Sequence, residues 1–559
     1  MSGRVTLMAL AGGFASLIPS LASAATYQVG PTRTYRDLGA IAALVSPGDV
    51  VEVDGGATYP AVRFTRPGDA GAKITIRGLK VGGRRPILNG GTNTIDASAD
   101  HYVFEGLEIT GGGSRCFFHH ADDITIRDSV IHDCPKQGLL GADNDSGSLL
   151  LEYSEFYGSG GGDRDHQIYM ATDESAHPGA VFRMQFCYVH DGNGGNNVKS
   201  RAERNEIYYN WIEGAYYHEL ELIGPDPDGG VSASLRREDS DVVGNVLVKR
   251  RDFSFVRVGG DGTGETNGRY RFVNNTFIGF GSGSTAFRIF DGVDSVEMHN
   301  NVFWRDGGAF NITRTAEASW VAGEQIAGQN NFVVTGAGAV PSAWTSTITG
   351  ASPGFIDASR DDFRPAAGSA LVDEGALPTT SPPGHEFPAP LPRPLFHPPR
   401  RTLIAPGTAE PRPDDGALDI GAYELAGGPG TPDGGVGGSG GASSGGASSG
   451  GASSGGASSG GASSGGASSG GASSGGASSG GASSGGASSG GASSGGASSG
   501  GASSGGGAGA SGSSGGHGDD AQDDGGCAVR AGAHGAPHTL VFTAFILALA
   551  LARRRRLPA

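Results

Sequence analysis

Through the middle of the chain, short runs such as "ITIRDSVI" and "YRFVNNTFI" alternate apolar and polar residues, the period-two pattern of strands with one buried face. Between these runs no long 3.6-residue periodicity intervenes. An α/β barrel, which needs a helix after every strand, is therefore excluded. The runs close on a bulky apolar residue in a recurring form: "GLEI", "DSVI", "YSEF", "FCYV", "YNWI", "GNVL", "NNTF", "NNVF" and "NNFV". Their last residues are Ile109, Ile131, Phe156, Val189, Ile212, Leu247, Phe277, Phe303 and Val333, with steps of 22 to 35 residues. A minimum near 22 with variable insertions is the spacing of a coil of short strands whose loops differ from turn to turn.

The second residue of each run forms a column of its own: Leu107, Ser129, Ser154, Cys187, then Asn210, Asn245, Asn275, Asn301 and Asn331. Asparagine tolerates left-handed backbone and bonds neighbours above and below, so five in succession predict a stacked ladder at one bend. Residues 25–425 are accordingly read as an all-β parallel β-helix of nine or more turns, about 4.8 Å per turn. At its start, "YRDLGAIAALVSPGDVVEVDGGATY" offers a short helix, a turn at Pro47-Gly48 and a strand, suited to capping an open end.

Roughly ten residues after each bend comes an apolar-x-apolar triplet: "IYM", "VKS", "LEL", "VRV", "FRI" and "FNI". Their middle residues, Tyr169, Lys199, Glu221, Arg257, Arg288 and Asn311, are expected to point outward and stack into one stripe. Cations spaced along such a stripe suit an acidic polymer, because Arg binds carboxylates bidentately. A solvated strand face would carry similar charges. β-Elimination from a uronic-acid polymer needs a neutralised carboxylate, a base for the C5 proton and an acid for the leaving oxygen. Lys199, its ammonium disfavoured by neighbouring arginines, is the candidate base. Arg201, Arg257 and Arg288 are the candidate carboxylate holders, and His166, from "DRDHQIYM", or Tyr169 the proton donor.

The ends of the chain change the picture of where this coil works. Arg4, the run "VTLMALAGGFASLIPSL" and the small-residue site "ASA" read as a signal peptide over residues 1–24. Much of the glycine total of 103 falls after Gly427, where "GASSG" recurs thirteen times over residues 441–505. Such a tract cannot bury a core and is read, over 426–526, as a disordered linker spanning roughly 45 Å root-mean-square. Residues 527–559 hold Cys527, the apolar run "TLVFTAFILALALA" and "RRRR", expected to form a short C-terminal apolar helix and membrane anchor. The formal net charge of −17 excludes nucleic acid as the main partner. Four cysteines are too few for a disulfide framework, although Cys116 and Cys134 can pair across neighbouring turns.

Three resemblances add to this reading. The start of the coil, with "SPGFIDASRDDFRPAAGSALVDEG" and "DIGAYE" near its end, resembles secreted right-handed parallel β-helix proteins of the pectate lyase type. The segment "NNVKSRAERNEIYYNWI" resembles the one holding the lysine base in alginate and chondroitin lyases built on this coil, which implies that role for Lys199. Those enzymes carry an arginine on the next turn, where this chain has "ELELIG" with Ile223; either Arg257 substitutes, His218 or Glu219 acts, or the chain does not catalyse elimination. The cysteine, apolar span and arginines after a low-complexity linker resemble myxobacterial C-terminal sorting tags, implying export, processing near Cys527 and retention at the cell surface.

Two other functions use the same residues. A glycoside hydrolase needs two carboxylates, and Glu219 and Glu221 stand by the stripe with Asp163, Asp165, Asp226 and Asp228. These acids also make Ca2+ a candidate ligand, though no ordered calcium motif is present. A tethered glycan-binding rod needs the same stripe and no base; under any of these readings Tyr169, His218, Glu219, Glu221, Arg288 and Asn311 are the expected substrate contacts. The expected partner is an acidic polysaccharide, and the expected state of the chain is a monomer.

Overall fold

The computed structural model describes residues 24–224, 238–260, 266–280, 285–387, 391 and 393–426. All but the antiparallel pair Phe355–Asp357 and Asp362–Pro365 fall into three parallel sheets of 12, 12 and 10 strands, and successive strands of the chain visit the sheets in rotation. Leu149–Glu152 lies in the first sheet, Glu155–Tyr157 in the second and Ile168–Ala171 in the third. Each strand pairs in parallel with its counterparts one turn before and one turn after, as in Leu149–Glu152, whose partners are Ile124–Arg127 and Val181–Gln185. This is the expected all-β parallel solenoid of the right-handed type. The inward residues, among them Phe156, Val189, Ile212, Leu247, Phe277 and Phe303, form one continuous buried cluster.

The five asparagines stack as expected. Asn245 Oδ1 accepts from Asn210 N–H at 2.8 Å, Asn275 Oδ1 from Asn245 N–H at 3.0 Å, Asn301 Oδ1 from Asn275 N–H at 2.9 Å and Asn331 Oδ1 from Asn301 N–H at 2.9 Å. Each Nδ2 also donates to the next Oδ1, as in Asn275 to Asn301 at 3.0 Å. The left-handed backbone, however, falls on the residue just before the ladder: Asn274, Asn300 and Asn330 at φ 53°, 56° and 52°. The doublet "NN" thus divides two tasks, since the first Asn makes the bend and the second fills the column. Toward the N-terminus serine takes over more weakly, with Ser129 N–H donating to Ser154 Oγ at 3.3 Å.

The ends of the coil are closed by side chains. At the start the expected helix is absent: the segment forms successive turns with only Ala42 N–H to Leu38 O and Val45 N–H to Ile41 O in helical spacing. Gly39 and Pro47 bracket too few residues to repay helix nucleation. Leu38, Ile41 and Val45 are nevertheless wholly buried and cover the first turn. Trp344 stacks on Phe303 at the other end, with centroids 5.7 Å apart. Cys116 and Cys134 form a disulfide, while Cys187 is a buried free thiol.

Beyond the coil, "DIGAYE" does not sit on the end of the helix but on its flank. Ile420, Ala422 and Tyr423 join Phe363 and Leu371 over Trp211, Val246, Val248, Ile278, Val302 and Trp304 of the second sheet, a separate buried cluster. Asn274 Nδ2 donates to Asp419 O at 2.8 Å, and Ala422 N–H to Thr276 Oγ1 at 3.0 Å. An ion-pair network completes the seal, with Arg401 and Arg250 each bridging Glu213 of the coil and Asp361 of the closing segment. Residues 1–23 of the expected signal peptide, residues 427–559 with the expected linker and C-terminal anchor, and Asp226 and Asp228 lie outside the described residues. Among the described residues no helix is long and apolar enough to cross a membrane.

Candidate functional site

The register of the third sheet brings the expected stripe together. Tyr169 on Ile168–Ala171 pairs with Lys199 on Val198–Arg201, Lys199 with Glu221 on Leu220–Ile223, Glu221 with Arg257 on Val256–Gly259, and Arg257 with Arg288 on Thr285–Ile289. The next position is Arg314, not Asn311, which pairs with Thr285 instead. The bend-to-row distance explains the slip: from Asn275 to Arg288 and from Asn301 to Arg314 the count is 13 residues in both turns, three more than "FNI" allows. The "FNI" triplet is an accident of composition, and its Ile312 is core.

A second correction concerns exposure. Tyr169, Lys199, Glu221 and Arg257 face away from the core yet are 3%, 4%, 0% and 8% exposed; only Arg288 and Arg314 reach solvent appreciably. Glu221 is the reason the cations can crowd there. Its Oε1 accepts from Arg257 Nη1 at 2.9 Å, and its Oε2 lies 3.6 Å from Lys199 Nζ and accepts from Asn196 Nδ2 at 2.6 Å. Burial alone would raise the Glu221 carboxyl, but Lys199 and Arg257 outweigh it and hold it well below the ordinary range. Lys199 also sits 5.4 Å from the Tyr169 ring centre, and Arg257 and Arg288 lie 4.1 and 5.0 Å from that of Phe290.

Asn196, which the strand pattern does not single out, is the hub of the site. Its backbone N–H donates to His166 Nδ1 at 2.9 Å, so the His166 proton is on Nε2. Its Oδ1 accepts the His218 backbone N–H at 2.8 Å and faces His218 Nδ1 at 3.1 Å. Because Asn196 Nδ2 is committed to Glu221, that Oδ1 can only accept, which places the His218 proton on Nδ1. One residue thereby fixes opposite tautomers in two imidazoles, a donor at His166 and a lone pair at His218 Nε2. The latter is buried without a hydrogen-bond partner among the described residues. Burial, reinforced by Lys199, lowers His166 to about 3, and burial pushes His218 well below its ordinary value; both rings are neutral at neutral pH.

The remaining candidates divide. Arg201, 1% exposed, donates from Nε to Tyr169 Oη at 3.1 Å and from Nη1 to Gly224 O at 2.6 Å, so it orients the tyrosine from beneath. Glu219 belongs to the corner of the coil: Asn197 Nδ2 donates to it at 2.7 Å, Ala215 N–H at 3.1 Å, and Lys249 Nζ lies at 3.4 Å. Burial raises Glu219 and lowers Lys249, driving the pair toward neutrality. Glu219 and Glu221 therefore have separate partners and do not face a common space as a carboxylate pair. Asp165 accepts from Gly161 N–H at 3.3 Å within its own loop. Among the described residues no cluster of three or more His, Cys, Asp or Glu side chains is placed to hold a metal ion.

No family model matches the chain, and no curated protein does. Among solved structures the chain is similar to pectate lyase Pel9A at 12% identity, covering 72% of this chain and 96% of that one with a TM-score of 0.39. It is similar to the PL6 family polysaccharide lyase Pedsa3628 from Pseudopedobacter saltans at 13% identity, 64% and 97% coverage, TM-score 0.35. A GH136 lacto-N-biosidase from Eubacterium ramulus also matches, at 13% identity, 55% and 67% coverage, TM-score 0.30. The matched structures include lyases and a glycosidase alike.

Proposed function

We propose that the chain acts on an acidic polysaccharide laid along the row from Tyr169 to Arg314, cleaving it by β-elimination with Lys199 as base. The observation that carries this reading is the register itself: Lys199 stacks directly on Tyr169, with Arg201 behind the phenol and Arg257, Arg288 and Arg314 continuing the row. In the reaction, Lys199 acts as the neutral amine, its ammonium proton having passed to solvent: Nζ takes the C5 proton, and the C4–O4 bond breaks as the C4–C5 double bond forms. The departing O4 receives the Tyr169 proton, and Arg201 Nε–H stabilises the phenolate left behind. Arg288 and Arg314, at the open end, hold carboxylates of neighbouring sugars. The signal-like N-terminus and the cysteine, apolar and arginine tail support a place outside the cytoplasm, tethered at the cell surface.

The near-complete burial of Lys199 and Glu221 favours a second reading, a glycan-binding element in which the inner charges are structural and only Arg288 and Arg314 meet the polymer. Incubation of the full chain with a panel of uronate polymers, followed by ultraviolet absorbance of the unsaturated product, separates the two. Under the lyase reading, Lys199→Ala lowers turnover by about 10² or more, the weight of a general base, while binding survives. Turnover unaffected by Lys199→Ala would sink the elimination mechanism. Binding without turnover, weakened by salt and by Arg288→Ala, would establish the second reading.

A further inference from the structure

A cavity of about 460 Å³ lies in the closing segment, away from the row, between the turn at 360–362 and the stretch 397–410. Its size falls within the roughly 300–1,000 Å³ of small-molecule sites. Four arginines stand in or beside it, and two of them are spent. Arg401 is bound to Glu213 and Asp361, and Arg364 to Asp362. The other two, Arg360 and Arg400, are exposed; Arg360 has only a 3.6 Å contact with Asp357, and its side chain is 85% exposed. The lining holds three arginines and three acids; with Asp361 and Asp362 held by Arg401 and Arg364, Glu410, whose side chain is 65% exposed, is the acid left beside Arg360 and Arg400.

At the back of the cavity a buried donor has its one acidic neighbour, Glu410, beyond ordinary hydrogen-bond length. His397 is 5% exposed and its Nε2 accepts the Glu424 backbone N–H at 3.1 Å, so its proton is on Nδ1. That Nδ1–H is buried and has no hydrogen-bond partner among the described residues; the nearest acid, Glu410 Oε1, is 3.7 Å away. A buried donor left without an acceptor costs free energy that an oxyanion would recover. Pro398, Pro399 and Ile404 give the cavity an apolar wall, and the Thr402 and Thr408 hydroxyls line its rim. An inorganic ion would leave most of this space unfilled.

We propose that this cavity is a second binding site, taking an oxyanion carried on a compact hydrophilic ligand of the size of an acidic sugar unit. Arg360 and Arg400 meet the anionic group, and the His397 Nδ1–H closes on it from the interior. The site does not depend on the chemistry at Lys199. Calorimetric titration of the full chain with a uronate trisaccharide, its carboxyl-reduced neutral counterpart and inorganic sulfate tests it. The expected result is that the uronate binds, the neutral sugar does not, and Arg360→Ala/Arg400→Ala raises Kd by about tenfold or more with an unchanged melting temperature. Because the row is itself proposed to bind uronate, the titration is expected to show two binding steps, of which Arg360→Ala/Arg400→Ala weakens one and Arg288→Ala/Arg314→Ala the other. A single uronate-binding step, removed by Arg288→Ala/Arg314→Ala and unchanged by Arg360→Ala/Arg400→Ala, would overturn the proposal. Sulfate binding as tightly as the uronate would overturn the assignment to a sugar.

Discussion

The asparagine ladder and the charged row are both columns of side chains repeated once per turn, yet they solve the stacking problem in opposite ways. An amide carries a donor and an acceptor, so identical residues satisfy each other indefinitely, as Asn210 through Asn331 do. Cations cannot stack so. Between Lys199 and Arg257 the chain places Glu221, and at the exposed end Glu317 meets both Arg288 and Arg314. A repeat can therefore copy a neutral polar residue freely, whereas a charged column must be broken by counter-charge or by water.

The comparison is sharpest at Glu221. Replacing it with Gln leaves Lys199 and Arg257 buried without their anion and is expected to cost about 3–5 kcal/mol in urea unfolding. The effect should depend on pH in a defined sense. Because Glu221 is held below its unfolded value, its contribution is fully present above about pH 4.3 and is lost as pH falls from there toward the folded-state value. The stability gap between the wild-type chain and Glu221→Gln should therefore narrow below about pH 4; a gap constant down to acid pH would show that the carboxylate's charge is not what matters.

In the ladder, Asn275→Ala removes the acceptor for Asn245 N–H and the donor to Val242 O, with an expected loss of about 2–3 kcal/mol. Asn275→Ser should recover part of this, since serine fills the same column at Ser129 and Ser154. Equal losses for Ala and Ser would show that volume rather than hydrogen bonding holds the column. The smallest effect is expected at the solvated end of the row. Arg314→Ala, which removes a half-exposed partner of Glu317, should change stability by about 0.5 kcal/mol or less and weaken uronate binding in a salt-dependent way. A large loss of stability there would mean that the row is one cooperative network from end to end.

Much of this was open to inspection in the chain. Spacing alone identified the coil, the ladder and five of the six row positions, because a solenoid repeats the same environment at each turn and local pattern reports it directly. Asn311 was misassigned because an apolar-x-apolar triplet exists at the wrong offset, and only pairing across the sheet distinguishes Thr285 from Arg288 as a neighbour. Asn196 left no periodic signal at all, since it belongs to a turn and acts through residues 22 to 30 positions away.

What the sequence by itself determined was thus the architecture: which residues point inward, which bend carries asparagine, and which charges share one line. Tertiary structure decided everything that depends on contact between turns. It buried Lys199 and Glu221, set the tautomers of His166 and His218 through one amide, folded "DIGAYE" against Trp211 and Val302, and left His397 facing a cavity with an unused proton. The physical reason is that pattern records a residue's side of its own strand, whereas burial, charge balance and hydrogen-bond completion are set by groups that distant segments bring to it.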